Sequence, residues 1–189
     1  MILKNASISE KSSSGETALH LACKRGHFEI IQFLILKNAN INEKTNEGWT
    51  ALHRACYGCH FEIVQLLVLK NANINEKDNE GWTALHFACR EGYFKIVQFL
   101  ILKNENIHEK TNGGWTGLHY ACSEGHFEIV QFLILKNANI NEKDNCGLTI
   151  LHHACSEGRF EIVQLLILKN VNTVFQERIE FPSIFLRIK

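Results

Sequence analysis

The motif Thr-x-Leu-His begins at Thr17, Thr50, Thr83, Thr116 and Thr149, always 33 residues apart. The surrounding unit travels with it. Residues 79–110, NEGWTALHFACREGYFKIVQFLILKNENIHEK, overlie residues 112–143, NGGWTGLHYACSEGHFEIVQFLILKNANINEK, without a gap. A unit this short cannot bury an apolar face alone, so neighbours must stack and share one continuous core. Whole units are expected at 12–44, 45–77, 78–110, 111–143 and 144–176. A partial unit at 1–11 precedes them, because Ile2 to Lys11 (ILKNASISEK) matches a unit's closing third. The chain thus begins within a repeat, which leaves open that it is a fragment of something longer. No Pro-, Gly- or Ser-rich linker interrupts the array, and residues 177–189 form a tail, read either as a degenerate half-cap in which Ile184, Phe185 and Leu186 cover the last unit or as an unstructured remnant.

Each unit reads as helix, turn, helix and finger. Thr116 suits an N-cap, since its hydroxyl can accept from a backbone N–H one turn ahead. The segment GLHYACSE places Leu118, Ala121 and Cys122 at helical spacing on one buried face. Gly125 then supplies a tight reversal. The second helix, Phe127 to Leu135, is apolar almost all round, with a solvent stripe at Glu128 and Gln131. Such a helix needs cover on more than one side. Asn137 ends it in a left-handed cap, and the Asn, Asp and Gly content of NANINEKDNCG predicts a hairpin-like turn leading to the next Thr.

These motifs resemble the ankyrin-repeat family, whose unit pairs a Thr-Pro-Leu-His start with a Gly-His turn and a finger. The resemblance covers residues 1–176 and implies an all-α solenoid of stacked helix-turn-helix units with hairpin-like fingers. Three departures recur. Ala18, Ala51, Ala84, Gly117 and Ile150 replace the Pro, so the helix start loses its preset φ. Asn38, Asn71, Asn104, Asn137 and Asn170 replace the capping Gly. An outward helix position, usually polar in the family, is Leu36, Leu69, Leu102, Leu135 and Leu168. These leucines could close each helix end against its finger, as C-cap contacts do, or form an apolar row for self-association. The first reading is preferred.

Ten histidines and seven cysteines invite a metal or nucleophile reading. His20, His53, His86, His119 and His152 share one column, where the resemblance implies an imidazole bonded to the capping Thr and to neighbouring backbone. Cys23, Cys56, Cys89, Cys122 and Cys155 share another, where Cys serves as a small buried hydrophobe. His53, Cys56, Cys59 and His60 form a suggestive cluster. Its one new residue is Cys59, in the inter-helix Gly position, and Gly58 just before it suggests a shifted turn. No metal, cofactor or disulfide is expected. Nor is there a phosphate loop, a nucleophile elbow or an acid–base pair outside the repeat pattern, so the chain does not read as an enzyme.

With 20 basic and 20 acidic side chains the formal charge is zero. Nucleic-acid binding and docking on anionic membranes both need a basic surplus. No apolar run nears the ~20 residues of a span, and no signal peptide is apparent. A cytoplasmic or nuclear location with reduced thiols is expected.

The resemblance therefore implies a protein-binding scaffold working through its concave face. The alternative is an arm of a larger enzyme, channel or ligase adaptor. Trp49, Trp82 and Trp115 share the column before the capping Thr, which by resemblance faces the groove. Their rings should form a row at ~10 Å spacing, and Trp is over-represented among binding hot spots. Lys24, Arg25 and Arg90 lie beside them early in the array, Tyr57 between, and Glu91, Glu124 and Glu157 later. The groove is expected to run from basic to acidic around an aromatic middle.

Overall fold

The computed structural model describes the backbone of residues 7–179 and the side chains of residues 7–169. Ten helices occur among the described residues, in five pairs: α1 (Ala18–Arg25) with α2 (Phe28–Leu36), α3 (Ala51–Tyr57) with α4 (Phe61–Leu69), α5 (Ala84–Arg90) with α6 (Phe94–Leu102), α7 (Gly117–Glu124) with α8 (Phe127–Leu135), and α9 (Ile150–Ser156) with α10 (Phe160–Ile179). Within a pair the helices pack together. First helices then pack on first helices and second on second down the array. The result is a stacked helix-turn-helix solenoid with one unbroken apolar core.

That core repeats with the sequence. Leu19, Leu52, Leu85 and Leu118 are at most 2% exposed, and Cys23, Cys56, Cys89 and Cys122 are fully buried. The first helix starts the same way each time. The Thr hydroxyl and the His Nδ1 lie 2.8 Å apart in Thr17–His20 and Thr116–His119, and the Thr backbone N–H donates to that nitrogen. Nδ1 is thereby an acceptor, which leaves Nε2 to carry the proton. In His20, His53 and His86 it donates at 3.0 Å to the carbonyls of Glu43, Glu76 and Glu109. One imidazole thus ties a helix start to its own unit's finger.

The helix pairs are also stapled across units. His60 Nε2 donates to the Lys24 carbonyl, His126 Nε2 to the Arg90 carbonyl and Arg159 Nε to the Ser123 carbonyl. Each satisfies a carbonyl at the end of the preceding first helix, where no intrahelical partner exists.

The fingers are runs of turns. Backbone bonds from Thr45 to Trp49, Asp78 to Trp82 and Thr111 to Trp115 close them at 2.9 Å. No strand forms among the described residues, and pairing reaches only an isolated bridge between Lys143 and Thr149. The expected hairpin character therefore stops at the turn. The polar side chains bond sideways instead. Asn79 Nδ2 donates to the Asn46 carbonyl at 2.9 Å, Asn112 to Asn79 at 2.9 Å and Asn145 to Asn112 at 2.8 Å. Lys44, Lys77 and Lys110 each reach the carbonyl of the lysine one unit on.

Four expectations change. Asn38, Asn71, Asn104 and Asn137 adopt φ of 64–66° as left-handed caps, but Asn170 lies inside α10, which runs on to Ile179 in place of a last finger. Cys59 itself takes the left-handed slot at φ 60°, while Gly58 stays at φ −85°, so the turn is not shifted. The outward leucines do not close against the fingers: Leu36, Leu69, Leu102, Leu135 and Leu168 are 63–76% exposed. Cys155 and His152 are exposed, unlike the residues of their columns in the other four pairs, because α9 and α10 are the last described pair in the stack. The reading of Ile184, Phe185 and Leu186 as a half-cap lies outside the described residues.

Candidate functional site

The first helices and the bases of the fingers build one continuous face. Trp49, Trp82 and Trp115 each sit just before the Thr cap, with the backbone N–H held by residue 45, 78 or 111 at the finger base. This fixes each ring beside its own first helix. The rings are half-buried, and those of Trp49 and Trp82 pack against the core.

The gaps between them are filled by a second column, four residues after each Thr, which sequence reasoning missed. Phe87 lies 4.5 Å from Trp49 and 4.9 Å from Trp82, centroid to centroid. Tyr120 lies 4.3 Å from Trp82 and 4.9 Å from Trp115. His153 lies 4.4 Å from Trp115. The rings therefore interleave as Trp49, Phe87, Trp82, Tyr120, Trp115, His153. Contacts of this kind are worth about 0.5–1.5 kcal/mol each beyond their buried area. The signal was present, because this column varies (Leu21, Arg54, Phe87, Tyr120, His153) where its neighbours in sequence repeat.

One end of the ladder closes on an ion pair and the other on a histidine–aspartate hydrogen bond. The Arg54 guanidinium stacks 4.3 Å from the Trp49 ring and bonds Glu16 at 2.8 Å, with side chains 12% and 14% exposed. At the other end His153 Nε2 lies 2.9 Å from Asp144 Oδ2, whose oxygens also accept from the Cys146 and Leu148 N–H groups.

The expected flanking residues lie outside this ladder. Lys24, Arg25, Tyr57, Arg90, Glu124 and Glu157 are exposed, and Glu91 is half-buried. Tyr57 meets Trp49 edge-on at 5.7 Å. Arg90 reaches over Trp82 at 5.6 Å and pairs with Glu91 at 3.8 Å. Basic residues thus come first along the stack and acidic residues last.

The chemistry-bearing residues inside the stack are held out of reaction. Burial pulls His53, His86 and His119 down to about 4 and pushes Cys23 up to about 12. The residues of the Cys-x-x-Cys cluster are not brought together as ligands: Cys56 and His53 are buried, and Cys59 points to solvent. Among the described residues no three His, Cys, Asp or Glu side chains converge as a metal site. One buried group stands apart. Glu105 replaces the Ala39, Ala72 and Ala138 of other fingers and is 4% exposed. Its Oε1 accepts from the Leu85 N–H at the start of α5, and burial, offset only in part by the Thr83 hydroxyl and that N–H, pushes the carboxyl up to about 8.

The family model described as ankyrin repeats (3 copies) matches the chain in four overlapping windows, residues 1–78, 36–111, 60–144 and 85–177. The chain belongs to the ankyrin-repeat family. No curated protein matches it. The chain shows no catalytic motif, in keeping with the non-catalytic character of ankyrin repeats. No helix among the described residues is long and apolar enough to cross a membrane.

Proposed function

We propose that this ankyrin array, five whole units between residues 12 and 176 after a partial unit at 1–11, is a non-enzymatic scaffold. It holds a protein partner on the concave face built by the first helices and finger bases. The observation that carries this reading is the arrangement around the aromatic ladder. Lys24, Arg25 and Arg90 precede Glu124 and Glu157 along the stack and are all exposed, beside half-buried rings already held in place. Rings fixed before binding lose little freedom on contact. Opposite charges at the two ends orient an elongated partner with its acidic end towards Lys24 and its basic end towards Glu157. Trp49, Trp82 and Trp115 supply the apolar middle, with Tyr57 and Glu91 at its margins.

The exposed residues give the cleaner test, because changing them leaves the packing alone. The charge-reversed variant Lys24→Glu/Arg25→Glu/Glu124→Lys/Glu157→Lys is compared with the wild type by quantitative affinity capture and mass spectrometry. Loss of the wild-type set of partners, with an unchanged melting temperature, is expected. An identical set would remove the concave face from the function.

A further inference from the structure

The second helices all point one way, so their C-terminal ends share one edge of the array. Four of them close on the pair Leu-Lys, at Leu36–Lys37, Leu69–Lys70, Leu102–Lys103 and Leu135–Lys136, and Leu168–Lys169 holds the same place within the longer α10. The leucines are 74, 76, 68, 76 and 63% exposed, and the lysines are exposed beside them. The apolar surface continues inward. The ammonium groups of Lys37, Lys103 and Lys136 lie 5.6–5.8 Å over the rings of Phe33, Phe99 and Phe132, so positive charge borders the apolar ridge. Lys37, Lys70, Lys103 and Lys136 form no ion pair among the described residues, whereas the finger lysines Lys11, Lys44, Lys77 and Lys110 all do. A line of apolar side chains flanked by unneutralised positive charge contributes little to the fold.

The spacing and the charges select an occupant. Stacked helices repeat at ~10 Å, and seven residues of an α-helix rise ~10.5 Å. A helix laid along the array therefore meets one leucine per heptad without strain. Its flank over the lysines must be acidic. An anionic bilayer fits less well. Glu29, Glu62, Glu128 and Glu161 lie seven residues before four of the five leucines, on the same side of their helices, and are exposed, with Lys95 in that place before Leu102. They stand ~10 Å from the leucine row. A helix about 10 Å wide covers the leucine band and leaves those carboxylates in water, whereas a flat anionic surface would meet them.

We infer that this leucine–lysine edge is a second docking surface, distinct from the first-helix face. Its occupant is an acidic amphipathic helix of a protein partner, lying along the array with one apolar residue per heptad over each leucine. The probe is a labelled, helix-forming peptide of about 28 residues with leucine at every seventh position and glutamate along one flank. Fluorescence anisotropy reads its binding to the full chain. Saturable binding is expected, weakened about ten-fold or more by Leu69→Ser/Leu102→Ser and likewise by Lys70→Glu/Lys103→Glu, with thermal melts unchanged. A peptide with leucine at every sixth position should bind about ten-fold more weakly. Absence of saturable binding, or binding indifferent to these changes, overturns the assignment. Co-sedimentation with phosphatidylserine–phosphatidylcholine vesicles that Leu69→Ser/Leu102→Ser abolishes would overturn it in favour of a membrane. A dimer in sedimentation velocity lost in the same variant would overturn it in favour of a second copy.

Discussion

Glu105 places a carboxyl where the equivalent fingers carry alanine, and its ionisation can be read as stability. In the unfolded chain the side chain holds its proton only below about 4.5, whereas burial in the folded chain raises that value to about 8. Between the two, the folded state binds the extra proton, so stability falls as pH rises through that window and levels off above it. The gap corresponds to ~5 kcal/mol at full ionisation and roughly 3 kcal/mol at neutral pH. Glu105→Ala removes this dependence and also removes the acceptor for the Leu85 N–H, a loss of about 1 kcal/mol. The variant should therefore be slightly less stable than the wild type below about pH 5, and more stable by several kcal/mol above about pH 8. Urea unfolding followed by circular dichroism at acid, neutral and alkaline pH measures both curves. Glu105→Gln, which keeps an acceptor but cannot ionise, should share the flat alkaline limb. Parallel wild-type and Glu105→Ala curves across the whole range would refute the reasoning, because the lost hydrogen bond only offsets the curve and the other titrating groups are common to both chains.

Two further outcomes follow from the same structure. His53, His86 and His119 are held near 4 by burial against an ordinary 6.5, so their stabilising effect is complete above 6.5 and is lost as pH falls from 6.5 towards 4. Each should account for roughly 2 kcal/mol by about pH 5, and a urea midpoint that stays flat over that interval in Glu105→Ala would contradict their neutral, buried state. Cys59 holds a left-handed φ that other units give to glycine, so Cys59→Gly should stabilise by about 1 kcal/mol. A lower melting temperature in that variant would mean that the cysteine side chain, and not its backbone, sets the turn.

Much of this architecture was legible because it is decided within one unit. The bounds of α7 and α8, the Thr–His capping pair and the left-handed Asn caps depend on hydrogen bonds between residues a turn apart, and the sequence around Thr116 contains all the partners. Stacking itself followed from the period, since a helix pair that is apolar almost all round must find a neighbour. The site was only half legible. The tryptophan column announced a face, but whether its rings stand free or interleave depends on what the next first helix presents, and Phe87 and Tyr120 come from the following unit. The same limit governs the ends and the edges. Cys122 and Cys155 occupy one column with one set of local neighbours, yet the first is fully buried and the second exposed, because a further first helix packs over α7 and none over α9 among the described residues. Leu36 and its equivalents read locally as cap contacts, and only the path of each finger away from its helix leaves them in solvent. Backbone partners lie within reach of the local chain, whereas burial is set by which surfaces of other units arrive, and that is decided by the stack.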